Sequence, residues 1–273
     1  MAGAVESGAT VVGRVGALLR ALAAREPDGG STTGLAAAVG LPRPTVHRLL
    51  SALRDEGMVE RDEASAAWHL GPECFLLGAA ATSRHDIAPV AREAVLRIAR
   101  ETGESAYFSV RRGDETVCLL REDGSFPIRS HVLHEGIRFP LGVASAGQVI
   151  LAFLPERERE AYLRRADLVA AHGRQHSSRA LRARVAQTRE LGYAVNPGLI
   201  VAGSWGIGAA VFDAHEEPRW ALSINGIEAR IAPPRQDDLG QLLLREAHLL
   251  GARMARPQAP RPAWPAGAAP RRP

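Results

Sequence analysis

The sequence of 273 residues predicts an α+β protein with two folded parts, an N-terminal winged helix-turn-helix and a larger C-terminal domain built on an antiparallel sheet. Two observations support this fold class. Residues 32–61, TTGLAAAVGLPRPTVHRLLSALRDEGMVER, have the pattern of a helix, a tight turn and a second helix that starts at prolines. From Ser105 onward, runs with the two-residue period of β-strands are interleaved with helical runs, which is typical of a sheet covered by helices.

Three helices are predicted in the N-terminal part, because apolar residues recur at helical spacing and turn or capping residues separate the runs. The first helix covers residues 11–25. The boundaries that follow are a break at residues 27–30, a cap at Ser31 or Thr32, a stop at Gly40, a new start at Pro42 and Pro44, and an end at Gly57.

Two short strands follow the third helix, over residues 58–61 and 67–70, and residues 62–65 form the turn between them. This hairpin completes a winged helix-turn-helix. The domain boundaries that we predict are residues 10–71 for the winged helix-turn-helix, residues 72–85 for a linker helix, residues 86–255 for the second domain, and residues 256–273 for a disordered tail rich in Pro, Ala and Arg.

The second domain alternates between helical and strand patterns. Helices are predicted over residues 87–102, 144–154, 156–170, 178–190 and 235–254. Strands are predicted on both sides of a turn at residues 112–114, over residues 207–213 and over residues 220–225. Neighbouring strands joined by short turns indicate an antiparallel sheet.

The composition is that of a soluble globular protein, because 46% of the residues are hydrophobic and the mean hydropathy is −0.10. No apolar run reaches the roughly 18–20 residues that a membrane-spanning helix needs, and the N-terminus has no signal-peptide pattern. The two cysteines, Cys74 and Cys118, match no zinc or disulfide spacing. We therefore expect a cytoplasmic protein without a bound metal or other cofactor.

Bulk charge does not indicate a nucleic-acid partner, although the formal net charge is +4. Five arginines and no carboxylate lie in residues 253–273, so the rest of the chain is close to neutral. Residues 1–80 carry seven arginines against nine carboxylates. Any affinity for DNA must therefore depend on where a few arginines are placed.

The second helix of a helix-turn-helix is the one that enters the DNA major groove. Four apolar residues in it have the spacing of a buried face: Val46, Leu49, Leu50 and Leu53. The opposite face, the helix start, the preceding helix and the wing then supply the predicted DNA-binding residues, which are Thr33, Arg43, Pro44, Thr45, His47, Arg48, Ser51 and Arg61.

Each of these assignments has an alternative. Arg48 and His47 can contact base edges or phosphate, and Arg48 can equally be a solvated surface residue. Thr33 can contact phosphate or cap its helix. Arg61 can contact DNA or be a plain surface charge beside two carboxylates, and Arg14 of the first helix can contact phosphate or pair with a carboxylate.

The sequence contains no GxSxG, Walker or HExxH motif. Cys118 lies in a strand pattern without an evident base, which indicates a structural cysteine. Two histidine pairs, His131 with His134 and His172 with His176, have no third ligand at a metal-binding spacing. We therefore predict no catalytic residues and no metal site.

Several blocks of the sequence resemble the IclR family of bacterial transcription regulators, in the order and spacing of that family. The resemblance covers about residues 11–255, and its blocks are GLPRPTVHRLLSAL, HLGPECFLLG, TGESAYFSV, GIRFPLGVASAGQVILAFLP, RELGYAVN and AVFDAHEEPRWALSINGIEARI. It implies a winged helix, a linker helix that dimerises, and a C-terminal effector-binding domain with a GAF-like sheet. It also implies binding to a palindromic operator as a homodimer or homotetramer, controlled by a small organic effector.

The resemblance further implies an effector pocket, whose matching positions are Ser145, Ala146, Gly147, Asn196, Gly206, Ser223 and Asn225. Backbone N–H groups at a helix start bind anions, so residues 145–147 suit a ligand, and the alternative is a helix cap without one. Ser223 and Asn225 share one strand face, which is either a pocket wall or a solvated surface. The family usually has Lys at the position of Gln148 and often a basic or polar residue at that of Ala202.

The predicted function is a DNA-binding transcription regulator, more often a repressor than an activator in this family, controlled by a carboxylate or aromatic effector. The departures at Gln148 and Ala202 keep a second hypothesis open, a DNA-binding protein whose C-terminal domain only oligomerises. A third hypothesis is an enzyme with a fused winged helix, which requires a nucleophile and a base that residues 86–254 do not display. Ligand-induced stabilisation separates the first two hypotheses, since only a ligand-binding domain melts higher with ligand.

Overall fold

The computed structural model describes residues 10–82, 87–129 and 132–254. The chain divides into two compact units, with the boundary between residues 86 and 87. Among the described residues, no helix is long and apolar enough to cross a membrane. The predicted end of the linker helix at residues 83–85, His131 and the predicted tail at residues 256–273 lie outside the described residues.

The first unit is a winged helix-turn-helix, as the sequence predicts. Its elements are α1 (Val11–Ala23), α2 (Thr32–Val39), α3 (Arg43–Asp55), β1 (Val59–Arg61), β2 (Trp68–Leu70) and α4 (Pro72–Thr82). β1 and β2 pair antiparallel and form the wing. The first three helices pack with the wing around an apolar core, whose fully buried members include Leu18, Leu22, Leu35, Val46 and Leu50.

Local sequence determines where these helices begin and end. The Ser31 hydroxyl accepts a hydrogen bond of 3.1 Å from the Gly34 N–H, so Ser31 caps α2. Thr33 therefore lies within the first turn of α2, and the alternative that Thr33 caps this helix is wrong. Gly40 has a φ of 65°, a left-handed conformation that favours glycine, and it ends α2 just before α3.

The second unit is built on a six-stranded antiparallel sheet. Its strands are β3 (Ser105–Arg112), β4 (Glu115–Glu122), β5 (Arg138–Pro140), β6 (Ala194–Pro197), β7 (Ser204–Phe212) and β8 (Pro218–Ile227). Their order across the sheet is β5-β4-β3-β8-β7-β6. The sequence predicts the four central strands but misses the edge strands β5 and β6, because such short strands show too little alternation. Pairing between β7 and β8 also extends both strands beyond their predicted starts.

Helices cover both faces of this sheet. They are α5 (Ala88–Thr102), α6 (Ser145–Phe153), α7 (Glu156–Arg165), α8 (Val169–His172), α9 (Ser178–Leu191), α10 (Glu228–Ile231) and α11 (Gln236–Met254). α5 and α11 share one apolar core with the sheet. α6, α7 and α9 share another core with its opposite face. The sheet thus lies between two helical layers, which confirms the α+β prediction.

The helix predicted over residues 156–170 is wrong at its C-terminal end. α7 ends at Arg165, Ala166 has an extended backbone, and α8 begins only at Val169. This break allows Leu168, which is 7% exposed, to join the apolar core beside α6. Burial of that leucine therefore outweighs the helical preference of the charged run.

Candidate DNA-binding surface and ligand cavity

α3 has one buried and one exposed face. Val46 and Leu50 are fully buried, whereas Leu49 is only partly buried at the margin of the core. Of the predicted DNA-binding residues, Thr33, Arg43, Pro44, His47, Arg48 and Arg61 are exposed, and Thr45 and Ser51 are partly buried. The helix therefore presents its polar face to solvent, where DNA can reach it.

The arginines on this face are not engaged by the protein itself. Within residues 10–82, neither Arg43 nor Arg48 forms an ion pair or a side-chain hydrogen bond, and Arg14 of α1 is not paired with a carboxylate. In contrast, Arg54 near the end of α3 lies 3.4 Å from Asp55 Oδ1. Unpaired guanidinium groups are available for phosphates or guanine edges.

The wing holds Arg61 against its own hairpin. The guanidinium carbon lies 5.6 Å from the centre of the Trp68 ring, and Nε donates to the Ala66 carbonyl oxygen over 3.4 Å. The neighbouring Asp62 instead accepts hydrogen bonds from the hydroxyl and the N–H of Ser65, which lower the pKa of Asp62. Within the wing, Arg61 is thus positioned by stacking and not neutralised by Asp62.

Two helices of the first unit expose large apolar side chains. Phe75, Leu76 and Leu77 on α4 are 76%, 56% and 50% exposed. Val11 and Val12 on α1 are 65% and 79% exposed. Exposed apolar residues that occur together mark surfaces that contact another molecule. These five residues are candidates for an interface with a second chain.

A small cavity lies in the second unit between the start of α6 and the sheet. The cavity and its mouth together enclose about 240 Å³, and the interior has room for about one ordered water. Four of the predicted effector-binding residues line it: Ser145, Asn196, Gly206 and Asn225. The lining residues that the sequence did not reveal are Val132, Leu133, Ala144, Ile200 and Ser204. Loops contribute most of these, and no spacing in the sequence links them.

Two glycines of β7 allow α6 to approach the sheet this closely. A Cβ atom on Gly208 would lie 2.9 Å from the carbonyl oxygen of Ser145. A Cβ atom on Gly206 would lie 3.0 Å from Asn225 Oδ1 and 3.2 Å from Ser145 Oγ. Gly208 thus permits contact between the helix and the strand, and Gly206 leaves open the space between two polar atoms.

α6 starts at Ser145, so residues 145–147 form the first turn of the helix. The N-cap is Ala144, whose side chain cannot accept a hydrogen bond. No side chain therefore caps this helix. The N–H groups of a first turn have no partner within the helix and carry partial positive charge. That charge lies at the cavity wall, because Ala144 and Ser145 both line it.

Three predicted effector-binding residues do not line this cavity. Ala146 is buried in the apolar core beside α6. Gly147 fits against a neighbouring loop, where a Cβ atom would lie 3.2 Å from the Cα of Leu141. Ser223 is completely buried in β8. Ala146 and Gly147 thus allow α6 to pack closely against its neighbours, whereas Ser223 lies beyond the cavity.

The polar face of β8 is covered by α6. Leu222 and Ile224 belong to the core shared with α5 and α11, so Ser223 and Asn225 lie on the opposite face. Ser223 is 0% exposed and Asn225 is 6% exposed. The alternative of a solvated sheet face is therefore wrong. The Ser223 Oγ and Asn225 Oδ1 atoms have no hydrogen-bond partner in the structure, which is unusual for buried polar atoms.

Asn196 fixes the cavity wall and does not offer a free amide. Its Nδ2 donates to the Val143 carbonyl oxygen at 2.7 Å, and its Oδ1 accepts a hydrogen bond of 2.9 Å from the Leu199 N–H. Both halves of the amide are thus used to join the segment before α6 to the loop after β6. We infer that this residue shapes the site.

Gln148, at the position where the family usually has Lys, binds the protein and not the cavity. Its Nε2 donates to Thr188 Oγ1 and to the Val195 carbonyl oxygen, both at 3.3 Å. Among the described residues, the cavity lining contains no charged side chain. An anion at this site would therefore bind through N–H and hydroxyl donors and not through a charged side chain.

An open groove continues from the mouth of the cavity. Val132 and Ser204 line both. The remaining groove residues are Arg129, Val201, Ala202, Gly203 and Ile227. Arg129 is the only cation among them, and its Nη1 lies 3.1 Å from Asp123 Oδ2. The groove therefore combines an apolar floor with one guanidinium group.

The cysteine and histidine residues singled out from the sequence form no reactive cluster in the described parts of the chain. Cys118 is 3% exposed, and burial raises the pKa of its thiol to about 12, which keeps it protonated. The rings of His172 and His176 lie 5.6 Å apart, and burial lowers the pKa of His176. No group of three metal-ligating side chains occurs among the described residues.

Comparisons with known proteins agree with this architecture. The model of the IclR helix-turn-helix domain matches residues 11–63, and the model of the C-terminal domain of the bacterial transcriptional regulator IclR matches residues 79–250. The regulator KipR of Bacillus subtilis is 29% identical over 202 residues, which cover 74% of this chain and 80% of KipR. The transcriptional repressor IclR of Escherichia coli is 28% identical over 246 residues, which cover 88% of this chain and 90% of that one.

Solved structures show the same fold. The IclR regulator of Alicyclobacillus acidocaldarius has a TM-score of 0.75 at 23% identity, covering 88% of this chain and 97% of its own. An IclR homologue of Microbacterium hydrocarbonoxydans, solved in complex with 4-hydroxybenzoate, has a TM-score of 0.72 at 21% identity, covering 90% and 99%. The two family matches follow the order of the two units and together span most of the chain. The chain therefore belongs to the IclR family, whose members are DNA-binding transcriptional regulators and not enzymes.

Proposed function

We propose that this chain binds a palindromic operator through α3 of two subunits, and that a small carboxylate controls the binding by entering from the groove and widening the cavity beside α6. The main support is the cavity itself, where the partial positive charge at the start of α6 and the Ser145 hydroxyl line an enclosed space.

The unpaired arginines support the DNA-binding part of the proposal. Arg48 lies on the outward face of α3, where a guanidinium group can contact a guanine edge bidentately. Arg43 at the helix start and Arg61 on the wing are placed for phosphate contacts. The other proposed DNA contacts are Thr33, Pro44, Thr45, His47 and Ser51, of which Thr45 and Ser51 lie at the margin of the exposed face.

Three features favour an anionic effector. The start of α6 supplies partial positive charge, the Ser145 hydroxyl can donate a hydrogen bond, and none of the lining residues is acidic. Arg129 in the adjoining groove attracts anions to the mouth. The structural relative that binds 4-hydroxybenzoate is consistent with an aromatic carboxylate. Ala146 and Gly147 contribute through the backbone of the first helical turn.

The working assembly in this proposal is a homodimer or homotetramer in the bacterial cytoplasm. The exposed apolar residues of α1 and α4 favour contact with a second copy. Twofold symmetry places two copies of α3 on half-sites about one helical turn apart, which explains why a palindrome is expected. Repression is the proposed sign of regulation, because the Escherichia coli relative is a repressor.

The effector acts by stabilising one arrangement of the assembly over another. It shifts the spacing of the two α3 helices only as far as its affinities for the two arrangements differ. A carboxylate that binds both arrangements equally has no effect on DNA binding.

Footprinting on the DNA upstream of the gene tests the DNA-binding part. We expect a protected palindrome with the wild type, and about 10- to 100-fold weaker protection with Arg48→Ala. Arg54→Ala is the matched control, since Arg54 is an exposed arginine of the same helix that pairs with Asp55. Equal loss in both variants, with folding intact, contradicts the assignment of Arg48.

The small cavity supports a second candidate function, in which the C-terminal domain only oligomerises. Thermal unfolding with acetate, pyruvate, benzoate and 4-hydroxybenzoate distinguishes the two. Under the first proposal at least one acid raises the melting temperature, and Gly206→Val, whose side chain fills the cavity, abolishes the rise. A melting temperature that no acid changes favours oligomerisation alone.

A further inference from the structure

The three tyrosines of the chain differ in how their hydroxyl groups are satisfied. Tyr162 donates to the Leu141 carbonyl oxygen and Tyr193 donates to Asp237 Oδ1, both at 2.7 Å. Tyr107 is fully buried, and its hydroxyl has no hydrogen-bond partner. Such a group is rare in native structures, because it loses its hydrogen bonds to water and gains none. Tyr107 therefore requires an explanation that the other two tyrosines do not.

Tyr107 shares its sheet face with the two unpartnered oxygens of β8. Tyr107 lies opposite Ser223 in the pairing of β3 with β8, and Ser105 lies opposite Asn225. The Ser105 hydroxyl donates to Asp123 Oδ1 at 3.3 Å and lies near enough to Tyr107 to lower the pKa of Tyr107, but it is not within hydrogen-bond distance of the Tyr107 hydroxyl. Tyr107, Ser223 and Asn225 thus form a polar strip of three buried, unsatisfied oxygens on one face of the sheet.

The polar strip begins at the cavity and continues past one of its walls. Asn225 and Leu133 line the cavity, and Leu133 also belongs to the small apolar cluster that contains Tyr107 and Cys118. Leu133 lies in a loop outside the strands, where a side chain moves at lower cost than in the sheet. A rotation of Leu133 would therefore extend the cavity toward the Tyr107 hydroxyl.

We propose that Tyr107 is a specificity-determining residue of the effector site, and that the effector is a two-ended acid. Its carboxylate binds at the start of α6, and a second oxygen at the opposite end accepts a hydrogen bond from Tyr107. Ser223 binds the same oxygen from the neighbouring strand. This inference rests on the proposed function, because it uses the same cavity.

The chemistry of the site fits such a ligand. Burial raises the pKa of Tyr107 to about 12, so the hydroxyl stays protonated and donates at neutral pH. Val132, Leu133 and Ile200 supply apolar contacts for the body of the ligand. The second oxygen of such a molecule satisfies the Tyr107 and Ser223 hydroxyls, and its apolar middle packs against these three side chains.

Tyr107→Phe in the full chain tests the inference, since it removes the hydroxyl and keeps the ring. Tyr162→Phe is the matched control, because it removes a hydroxyl that has a partner. The probes are 4-hydroxybenzoate, benzoate, which lacks the second oxygen, and acetate, which lacks the apolar body. Melting without ligand and titration with each probe are measured for all three proteins.

We expect the wild type to bind 4-hydroxybenzoate about 3- to 10-fold more tightly than benzoate. Tyr107→Phe should lose this preference and melt at or above the wild-type temperature. Tyr162→Phe should keep the preference and melt lower.

Three outcomes overturn the inference. If Tyr107→Phe keeps the preference, or melts as low as Tyr162→Phe, the hydroxyl has a structural role and the proposed function stands. If the wild type binds acetate alone, the effector is not two-ended, and again the proposed function stands. If no probe binds, the inference fails together with the carboxylate part of the proposed function.

Discussion

The outward face of α3 and the cavity beside α6 are two candidate binding sites that are built in different ways. The α3 face comes from residues 43–51, so helical spacing alone brings its side chains together. The cavity takes its walls from a loop near residue 132, from the start of α6 and from three strands. The first surface is exposed and carries unpaired arginines, whereas the second is buried and neutral.

This difference predicts how binding affinity and stability respond to substitutions at each site. On α3, an exposed side chain contacts DNA and contributes little to the core, so affinity and stability change separately. At the cavity, the same atoms pack α6 against the sheet and face the ligand, so affinity and stability change together. Substitutions for which both affinity and stability are measured therefore test this contrast between α3 and the cavity.

The largest effect is expected for Trp68→Ala, which removes the core beneath the DNA-binding surface. Trp68 is 1% exposed, and its Nε1 donates to Thr32 Oγ1 at 3.0 Å. Its loss leaves a void between the wing and α2, so we expect the free energy of unfolding of the first unit to fall by about 3–5 kcal/mol. Denaturant unfolding followed by circular dichroism measures this.

Arg61→Ala is the control for this prediction, because it removes the guanidinium over the Trp68 ring and leaves the core intact. It should weaken DNA binding while changing the unfolding free energy by less than about 1 kcal/mol. A Trp68→Ala variant as stable as Arg61→Ala would contradict the core described for the first unit.

A smaller effect is expected where α6 meets β7. Gly208→Ala places a Cβ atom 2.9 Å from the Ser145 carbonyl oxygen, which cannot move unless α6 shifts. We expect the free energy of unfolding to fall by about 1–3 kcal/mol. The added methyl group of Gly206→Ala meets the side chains of Asn225 and Ser145, which can rotate, so this variant should be less destabilising than Gly208→Ala. For the same loss of stability, Gly206→Ala should weaken ligand binding more than Gly208→Ala does.

Denaturant unfolding and ligand titration of both glycine variants measure this contrast. If Gly206→Ala proves more destabilising than Gly208→Ala, the close approach of α6 to β7 does not depend on Gly208. Ligand affinity and stability would then change separately at the cavity, as DNA affinity and stability are expected to do on α3.

The smallest effect concerns pH. His176 is 1% exposed, and burial lowers its pKa from the ordinary value of 6.5, with the hydrogen bond to the His172 carbonyl oxygen opposing this shift and the charge of Arg184 adding to it. The unfolded chain then binds a proton more readily than the folded one. Stability should therefore be complete above pH 6.5 and fall as the pH decreases toward the folded pKa, by at most about 1.4 kcal/mol per pH unit.

Thermal unfolding of the second unit across about pH 5 to 8 measures this dependence. His176→Gln should remove the part of it that develops below pH 6.5. A variant with the wild-type pH profile would assign the effect to other groups.

Much of the first unit could be predicted from the sequence. The buried positions of Val46 and Leu50, the stop at Gly40 and the start of α3 at prolines all depend on residues a few positions apart. The second unit was less predictable. β6 has too few residues for a clear period, and α7 ends early because Leu168 packs into a core that a charged run does not reveal.

The sequence by itself determined the helix-turn-helix, the alternation that places Ser223 and Asn225 on one strand face, and the resemblance to the IclR family. Only the tertiary structure decided that α6 buries this face, that Gly147 packs against a loop, and that Leu133 lies both at the cavity and in the cluster around Tyr107. The physical reason is the range of the interactions. Helix and strand periods reflect neighbours along the chain, whereas burial and unsatisfied hydrogen bonds depend on which distant segments pack together.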